Sequence, residues 1–379
     1  MTETPILNWP RIIIQSSLLA LALLFIPILL IFTALVIRFS PYVQTFLASS
    51  QLKPEELKER ILAGWHQNPE LENGKYAFVV LGTDELPNRT DTPIMTDTIV
   101  LVSVDLNQAT IKTMTIPRDL WSEQFKTKIN SLYEYGRKQN KAEPYALLLQ
   151  ELALLTPAKI QTVISISPIK LAKLIDTLGG VEITVPIGFT DTQFPRDDVD
   201  IKTERDPKKL YETVTFEPGK QVMTGRQALQ YMRSRHGTNG QDNDIARAER
   251  QTLIVQSIMR TVMSSQIRSN PERMAKLWQF YQQEFDASLS LETMISLLRY
   301  RIERIGWQGT IRTTATALTD FTITQSSIPV THYSQTSKKI EPGILYNPPM
   351  NKRDYFGQWV YVATDSAVLN TYISTQLGL

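Results

Sequence analysis

The chain of 379 residues contains no cysteine. That excludes a disulfide framework, a thiolate nucleophile, a Cys-ligated zinc and an iron–sulfur cluster. Histidine is nearly as scarce: His66, His236 and His332 are the full set. A histidine-based triad is therefore a poor expectation, and no G-x-S-x-G, H-E-x-x-H or Walker A loop is present. Net charge is also small. Forty Lys and Arg against 38 Asp and Glu leave +2, which gives no bulk attraction to nucleic acid. Low complexity and internal repeats are absent, so a folded globular chain is expected.

Charge is missing altogether between Arg11 and Arg38. Residues 12–37 are rich in Leu and Ile, and a bilayer core needs only about 20 apolar residues in a helix. The run is too long for a signal-peptide core of about 7–15 residues. Pro27 within it is tolerated in membrane helices. The organisation expected is a cytoplasmic tail over 1–11, a transmembrane helix over 12–37, a juxtamembrane linker over 38–72 and a catalytic domain over 73–379, with its core at 75–270. Eleven residues before the anchor cannot form a DNA-binding domain.

Beyond the linker, with its charged helix at 51–70, the hydropathy pattern changes. Tyr76–Leu81 and Thr98–Val104 are continuous apolar runs with many β-branched residues, as expected of strands buried on both faces. Ala109–Ile116 follows a hairpin turn. Helices are expected at Glu143–Leu155, Pro168–Leu178, Gly225–Gln230, Asp244–Met263 and Ser290–Ile305, and strands at Thr162–Ser167, Val181–Val185 and Trp359–Ala363. Gly179-Gly180 supplies a helix stop. Residues 187–220 read as polar and irregular. The alternation predicts an α/β (α+β) domain, a central mixed β-sheet flanked by helices.

Three clusters concentrate charge at element ends. In the first, Tyr231–Arg235 read as a strand puts Arg233 and Arg235 on one face, where two guanidiniums need an anion between them. The bland alternative is a solvated edge strand. In the second, Asp244, Arg247, Arg250 and Gln251 share an arc of a helix whose later turns carry Ile254, Ile258 and Val262 on the same side. An arginine there is paired or faces a ligand; a structural salt bridge to Asp244 is the alternative. The third joins Asp84, Asp97, Arg118-Asp119 and Lys128 at strand ends, where α/β sheets place their sites. Asp84 and Asp97 can share a hard divalent cation, or can simply be turn and cap residues.

Taken in order, MTDTIVLVSVD, TIPRDL, KINSLYEYG, LGGVEITV, MTGRQALQYMRSR and NDIARAERQ resemble the LytR-CpsA-Psr family of cell-wall glycopolymer phosphotransferases. The resemblance implies a plasma-membrane protein, single-pass, with its catalytic domain extracytoplasmic. It implies transfer of a glycopolymer with one phosphate from a polyprenyl-pyrophosphate carrier to a peptidoglycan hydroxyl, and an apolar tunnel for the lipid. Mg²⁺ (or Mn²⁺) is implied at Asp84 and Asp97, and pyrophosphate at Arg118, Lys128, Arg233, Arg235, Arg247, Arg250 and Gln251. Asp97, Arg118, Asp119, Arg233 and Arg235 form the expected catalytic set, with Asp119 or Asp244 as base. Leu147, Leu148, Leu149 and Leu152, or Leu171, Leu174 and Ile175, are candidate tunnel residues, each equally a core stripe. One departure stands out: Met95 occupies the place of a family arginine, with Arg89 and Asp91 in the same loop. Hydrolysis by water and a non-catalytic lipid-binding or regulatory role are the alternatives.

Overall fold

A computed structural model describes residues 41–85, 93–196, 199, 204–242, 244–262, 264–285, 288–305, 322–334, 339–349 and 355–379. The expected membrane helix, Arg89, Asp91 and the side chain of Asp244 lie outside the described residues. Among the described residues no helix is long and apolar enough to cross a membrane. The chain divides into two compact units, interleaved in sequence.

The sheet unit takes residues 67–84, 93–166 and 296–379. Strand β2 (Thr96–Asp105) runs antiparallel to both β1 (Lys75–Thr83) and β3 (Thr110–Ile116). Strand Thr162–Ile166 adds in parallel beside β1, and Thr322–Ser327 in parallel beside β3, giving the expected mixed sheet. The β2–β3 turn is held by Asp105, whose Oδ1 accepts the N–H groups of Asn107 and Gln108. Alternation sends Val79, Leu81, Ile99, Leu101, Met114 and Ile116 into one apolar cluster with helices Ala146–Leu155 and Ser366–Leu377. Leu148 and Leu152 are fully buried there, with Leu147 and Leu149 packed at its edge. Val80, Val100 and Val102 on the opposite face are equally buried, which is why these strands read as unbroken apolar runs.

The helical unit takes residues 41–66 and 167–295. Helix Pro168–Thr177 starts at Ser167, whose side chain accepts the Lys170 N–H, and stops at Gly179 and Gly180, with φ of 84° and 98°. Its Leu171, Leu174 and Ile175 are buried. The described residues of 187–220 are largely strand: Phe189–Pro195 pairs with Tyr211–Phe216, and Gly219–Met223 with Val181–Val185. A register shift between Asp191 and Phe194 breaks the alternation that would have marked the first ribbon as strand.

The reading of Tyr231–Arg235 as a strand is also corrected. Helix Gly225–Arg233 runs through it, opened by a capping box between Thr224 and Gln227. Gly225, Ala228 and Tyr231 recur at helical spacing on its buried face, and that periodicity outweighs the apparent alternation. The chain leaves the helix only at Ser234, which has ψ of 134°.

Candidate functional site: two charged constellations

In the sheet unit, strand ends gather the predicted carboxylates and cations. The Asp84 N–H donates to the Met95 carbonyl at 3.1 Å, and its Oδ1 accepts the Met95 N–H at 2.7 Å, tying the end of β1 to the start of β2. Asp97 follows two residues on and accepts from Arg118 Nη1 at 2.8 Å. Arg118 Nε lies 3.4 Å from Asp119, which is 2.7 Å from Lys128 Nζ. Asp97, Arg118, Asp119 and Lys128 thus form one alternating chain of charge. Burial acts against the Arg118 charge, but Asp97 and Asp119 outweigh it and raise its pKa.

Arg118 and Asp97 are roughly half exposed, at 47% and 46%. Exposed ion pairs contribute only about 0–1 kcal/mol, so the Arg118 guanidinium can trade a carboxylate for an incoming anion at little cost. Beneath the pairs, two buried polar atoms have no hydrogen-bond partner: Thr83 Oγ1, beside Asp84, and Asn130 Oδ1. The Asn130 backbone takes part in local order, its N–H donating to the Arg118 carbonyl and its carbonyl accepting from Thr96 Oγ1. Buried Glu134 accepts the Ile94 N–H and pairs with Arg137 and Lys138. Burial pushes its carboxyl up, but those donors outweigh it and lower its pKa. Glu134 thus secures the peptide leading to Met95 and Asp97.

In the helical unit, Arg233 lies in the last turn of its helix, its guanidinium 5.3 Å from the Phe194 ring centre. Arg235 follows the helix end, and buried Asp191 organises this exit. Asp191 Oδ2 accepts the Ser234 hydroxyl and the N–H groups of Arg235 and His236, and its Oδ1 accepts the Gln193 N–H. Burial raises its pKa, but these donors outweigh it, and the net shift is downward.

Helix Asp244–Val262 carries the other predicted cations. Arg247 and Gln251, one turn apart, are half-buried, while Glu249, Gln256 and Arg260 face out as expected. Arg250 departs from expectation. It is 1% exposed; Nε donates to the Tyr231 carbonyl, Nη1 to the carbonyl and side chain of Gln241, and Nη2 to the Ser234 carbonyl. Its three guanidinium nitrogens are engaged in shaping the backbone that carries Arg233 and Arg235, which sets it apart from the other arginines expected at pyrophosphate. Its ring neighbours Phe189 and Tyr231 fill the rest of the pocket, and desolvation lowers its pKa. Asp191 was not singled out from the sequence; its place between two phenylalanines in Phe189–Phe194 was the signal for it. Asn130 and Glu134 stood only within the KINSLYEYG run, with no role assigned.

Fold and site together define a mixed α/β protein with cation-rich, carboxylate-paired ends suited to an anionic ligand. The chain belongs to the LytR_cpsA_psr family, matching it over residues 42–337. It is 26% identical over 175 residues to the polyisoprenyl-teichoic acid–peptidoglycan teichoic acid transferase TagV of Bacillus subtilis (strain 168), covering 45% of this chain and 39% of that protein. It is also 26% identical over 173 residues to biofilm regulatory protein A of Streptococcus mutans, covering 44% and 39%. The matched stretch thus spans about two fifths of the length of these curated relatives. The crystal structure of B. subtilis TagV aligns with a TM-score of 0.44 at 17% identity, covering 81% of this chain and 99% of that one.

Proposed function

We propose that this protein is a membrane-anchored phosphotransferase. It moves a glycopolymer with one phosphate from a polyprenyl-pyrophosphate carrier to a peptidoglycan sugar hydroxyl. The observation that carries the reading is the Asp97–Arg118–Asp119–Lys128 chain at the sheet end, in a member of this family. The transferase name of the TagV relative supports it. The anchor is assigned to 12–37, with residues 1–11 cytoplasmic and the chain from 38 onward extracytoplasmic.

Phosphoryl transfer asks for positioning and neutralisation of charge more than for covalent help. Arg118 would exchange its exposed carboxylate partners for phosphate oxygens, with Lys128 adding a second positive charge. Within the helical unit, Arg233, Arg235, Arg247 and Gln251 are the residues proposed to bind phosphate oxygens. The acceptor oxygen attacks the phosphorus bearing the glycan; the bond to polyprenyl phosphate breaks and that phosphate leaves. The hydroxyl proton passes to a carboxylate, for which Asp119 is the candidate.

Asp84 and Asp97 fit a hard divalent cation. Among the described residues no group of three or more Asp, Glu or His side chains forms a cage. A pair of carboxylates, with unpartnered Thr83 Oγ1 beside them, suits Mg²⁺, which keeps waters and takes oxygens from substrate phosphate. When bound it would neutralise charge on the pyrophosphate.

The test uses the full chain in detergent with Mg²⁺, a lipid-pyrophosphate-linked sugar and a glycan acceptor. Polyprenyl phosphate plus glycan adduct is the expected product. Free sugar phosphate would instead make the protein a hydrolase, and binding without turnover would favour a regulatory role like the one named for the S. mutans relative. Asp97→Asn and Arg233→Ala should each lower turnover by about 10²–10³-fold. Full activity in both would overturn the site.

A further inference from the structure

Next to the sheet-unit constellation lies a group of aromatic side chains that the pyrophosphate reading does not use. Trp121 stacks edge-on with Tyr355 at 5.3 Å and lies 6.2 Å from Phe356. Trp359 meets Tyr361 edge-on at 4.7 Å. Backbone bonds tie the group to the charged residues. The Tyr361 N–H donates to the Asp119 carbonyl at 2.9 Å, the Trp121 N–H donates to the Tyr361 carbonyl at 2.8 Å, and Trp121 pairs with Lys128 across a short antiparallel ribbon. Burial, and then the Asp119 charge, raise the Tyr361 pKa, so that carboxylate is close enough to be felt by the phenol.

Two features set Phe356 and Trp359 apart from the core, against which Tyr361 is packed. Phe356 is 72% exposed and Trp359 41%, although both are large apolar side chains. Phe356 also has φ of 52°, a left-handed conformation that costs a non-glycine residue of order 1–3 kcal/mol. Neither the exposure nor the strain serves stability. The strip also lies beyond residue 337, where the family match ends.

We propose that Tyr355, Phe356, Trp359 and Tyr361 form a saccharide platform that seats the acceptor glycan, a neutral chain of pyranose rings, beside Asp119. The proposal rests on the phosphotransferase reading and assigns its second substrate. Aromatic faces carry negative charge density, and the C–H edges of a pyranose, polarised by their hydroxyls, complement them. The glycan donor brings a pyrophosphate that cations can hold. An uncharged acceptor offers them nothing, so it must be held by stacking and hydrogen bonds. The mixture of exposed rings with Asp119 and Lys128 at their border suits an amphipathic sugar better than a lipid surface, which has no use for a buried-edge carboxylate.

The experiment measures binding of a soluble β-1,4-linked N-acetylglucosamine tetramer to the full chain in detergent, by calorimetry. Trp359→Ala and Phe356→Ala should each weaken binding about tenfold, the worth of one stacked ring. Trp359→Phe should restore most of the loss, and Leu62→Ala, at another exposed apolar residue, should change nothing. Absence of binding by the natural chain, or unchanged affinity in both aromatic variants, overturns the proposal. So does a result in which the aromatic variants lose only their attachment to phosphatidylcholine vesicles. The outcome separates from that of the phosphotransferase reading. Tetramer binding that depends on Trp359 sustains the platform even if Asp97→Asn keeps full turnover, and a failed platform leaves the Asp97 and Arg233 results standing.

Discussion

The charged ends of the two units solve opposite problems. In the sheet unit Arg118, Asp97 and Lys128 are exposed or partly so, and each of the ion pairs Arg118–Asp97, Arg118–Asp119 and Lys128–Asp119 rests on a single contact. In the helical unit Asp191 and Arg250 are both 1% exposed and satisfied by several hydrogen bonds each. The first arrangement is cheap to rearrange and so suits binding. The second is costly to disturb and so suits holding backbone in place. Position differs too, since Asp97, Arg118 and Lys128 lie at or just beyond strand ends while Asp191 lies within a strand and Arg250 within a helix, but it does not set the cost of rearrangement. Burial and the number of partners do.

The sharpest way to break the contrast is to remove a buried group. Arg250→Met should cost about 3–5 kcal/mol, because it deletes a paired cation and strands the carbonyls of Tyr231, Ser234 and Gln241. Asp191→Ala should cost a similar amount by leaving the Ser234 hydroxyl and three N–H groups without their acceptor. Chemical denaturation reads both. A loss below about 1 kcal/mol would mean that the helix exit holds its shape without them.

Removing an exposed group should do the reverse. Arg118→Ala should change stability by no more than about 1 kcal/mol, yet lower turnover by about 10²-fold or more. Equal loss of both would place Arg118 with the structural group and undo the comparison.

A smaller effect appears in the pH dependence of stability, and it should differ in sign between the units. Asp191 in the helical unit has a folded pKa below its ordinary 3.8. Its contribution is present above that value and is lost as pH falls below it toward the folded pKa. Glu151 in the sheet unit donates to no base; it accepts the Ser122 hydroxyl at 2.6 Å, and burial raises its pKa above the ordinary 4.5. Its favourable contribution is full below 4.5 and is lost as pH rises through the folded value. Melting temperatures measured across pH should show Asp191→Asn flattening the acid limb and Glu151→Gln flattening the decline above 4.5. A common direction for both would contradict the balance of burial against hydrogen-bond donors assigned to one of them.

What could be read in the sequence follows the same division. The continuous apolar runs of β1 and β2, and the double-glycine stop after helix Pro168–Thr177, were legible because each depends on local pattern alone. So were Asp97, Arg118, Asp119 and Lys128, since the strands place them directly at their ends. Arg250 was legible as an unusual arginine on a core face, but its partners were not. They are carbonyls of residues 9 to 19 positions earlier, and backbone acceptors leave no mark in a sequence. Asp191 was hidden for a related reason. It closes contacts to Ser234, Arg235 and His236, more than forty residues away, from a ribbon whose alternation is broken beside it. The aromatic strip was read only as part of a strand over Trp359–Ala363, of which the structure forms Val362–Ala363 and a bridge at Tyr361, and the exposure of its rings leaves no mark in a sequence.

The weakest perturbation sharpens the comparison from within the exposed class. Lys126 pairs with Glu123 at 2.7 Å, both more than 60% exposed, in the turn of the ribbon that carries Lys128. By distance this ion pair equals that of Lys128 with Asp119. It differs in standing apart from the Asp97–Arg118–Asp119 chain, and its lysine has φ of 53°, where glycine is at ease and lysine is not. Lys126→Gly should therefore relieve more strain than the exposed pair supplied, raising stability by about 0.5 kcal/mol and leaving turnover unchanged. A fall in turnover without a fall in stability would extend the functional chain of charge along the ribbon to Lys126. The contrast between exchangeable and idle surface pairs would then have to be drawn elsewhere.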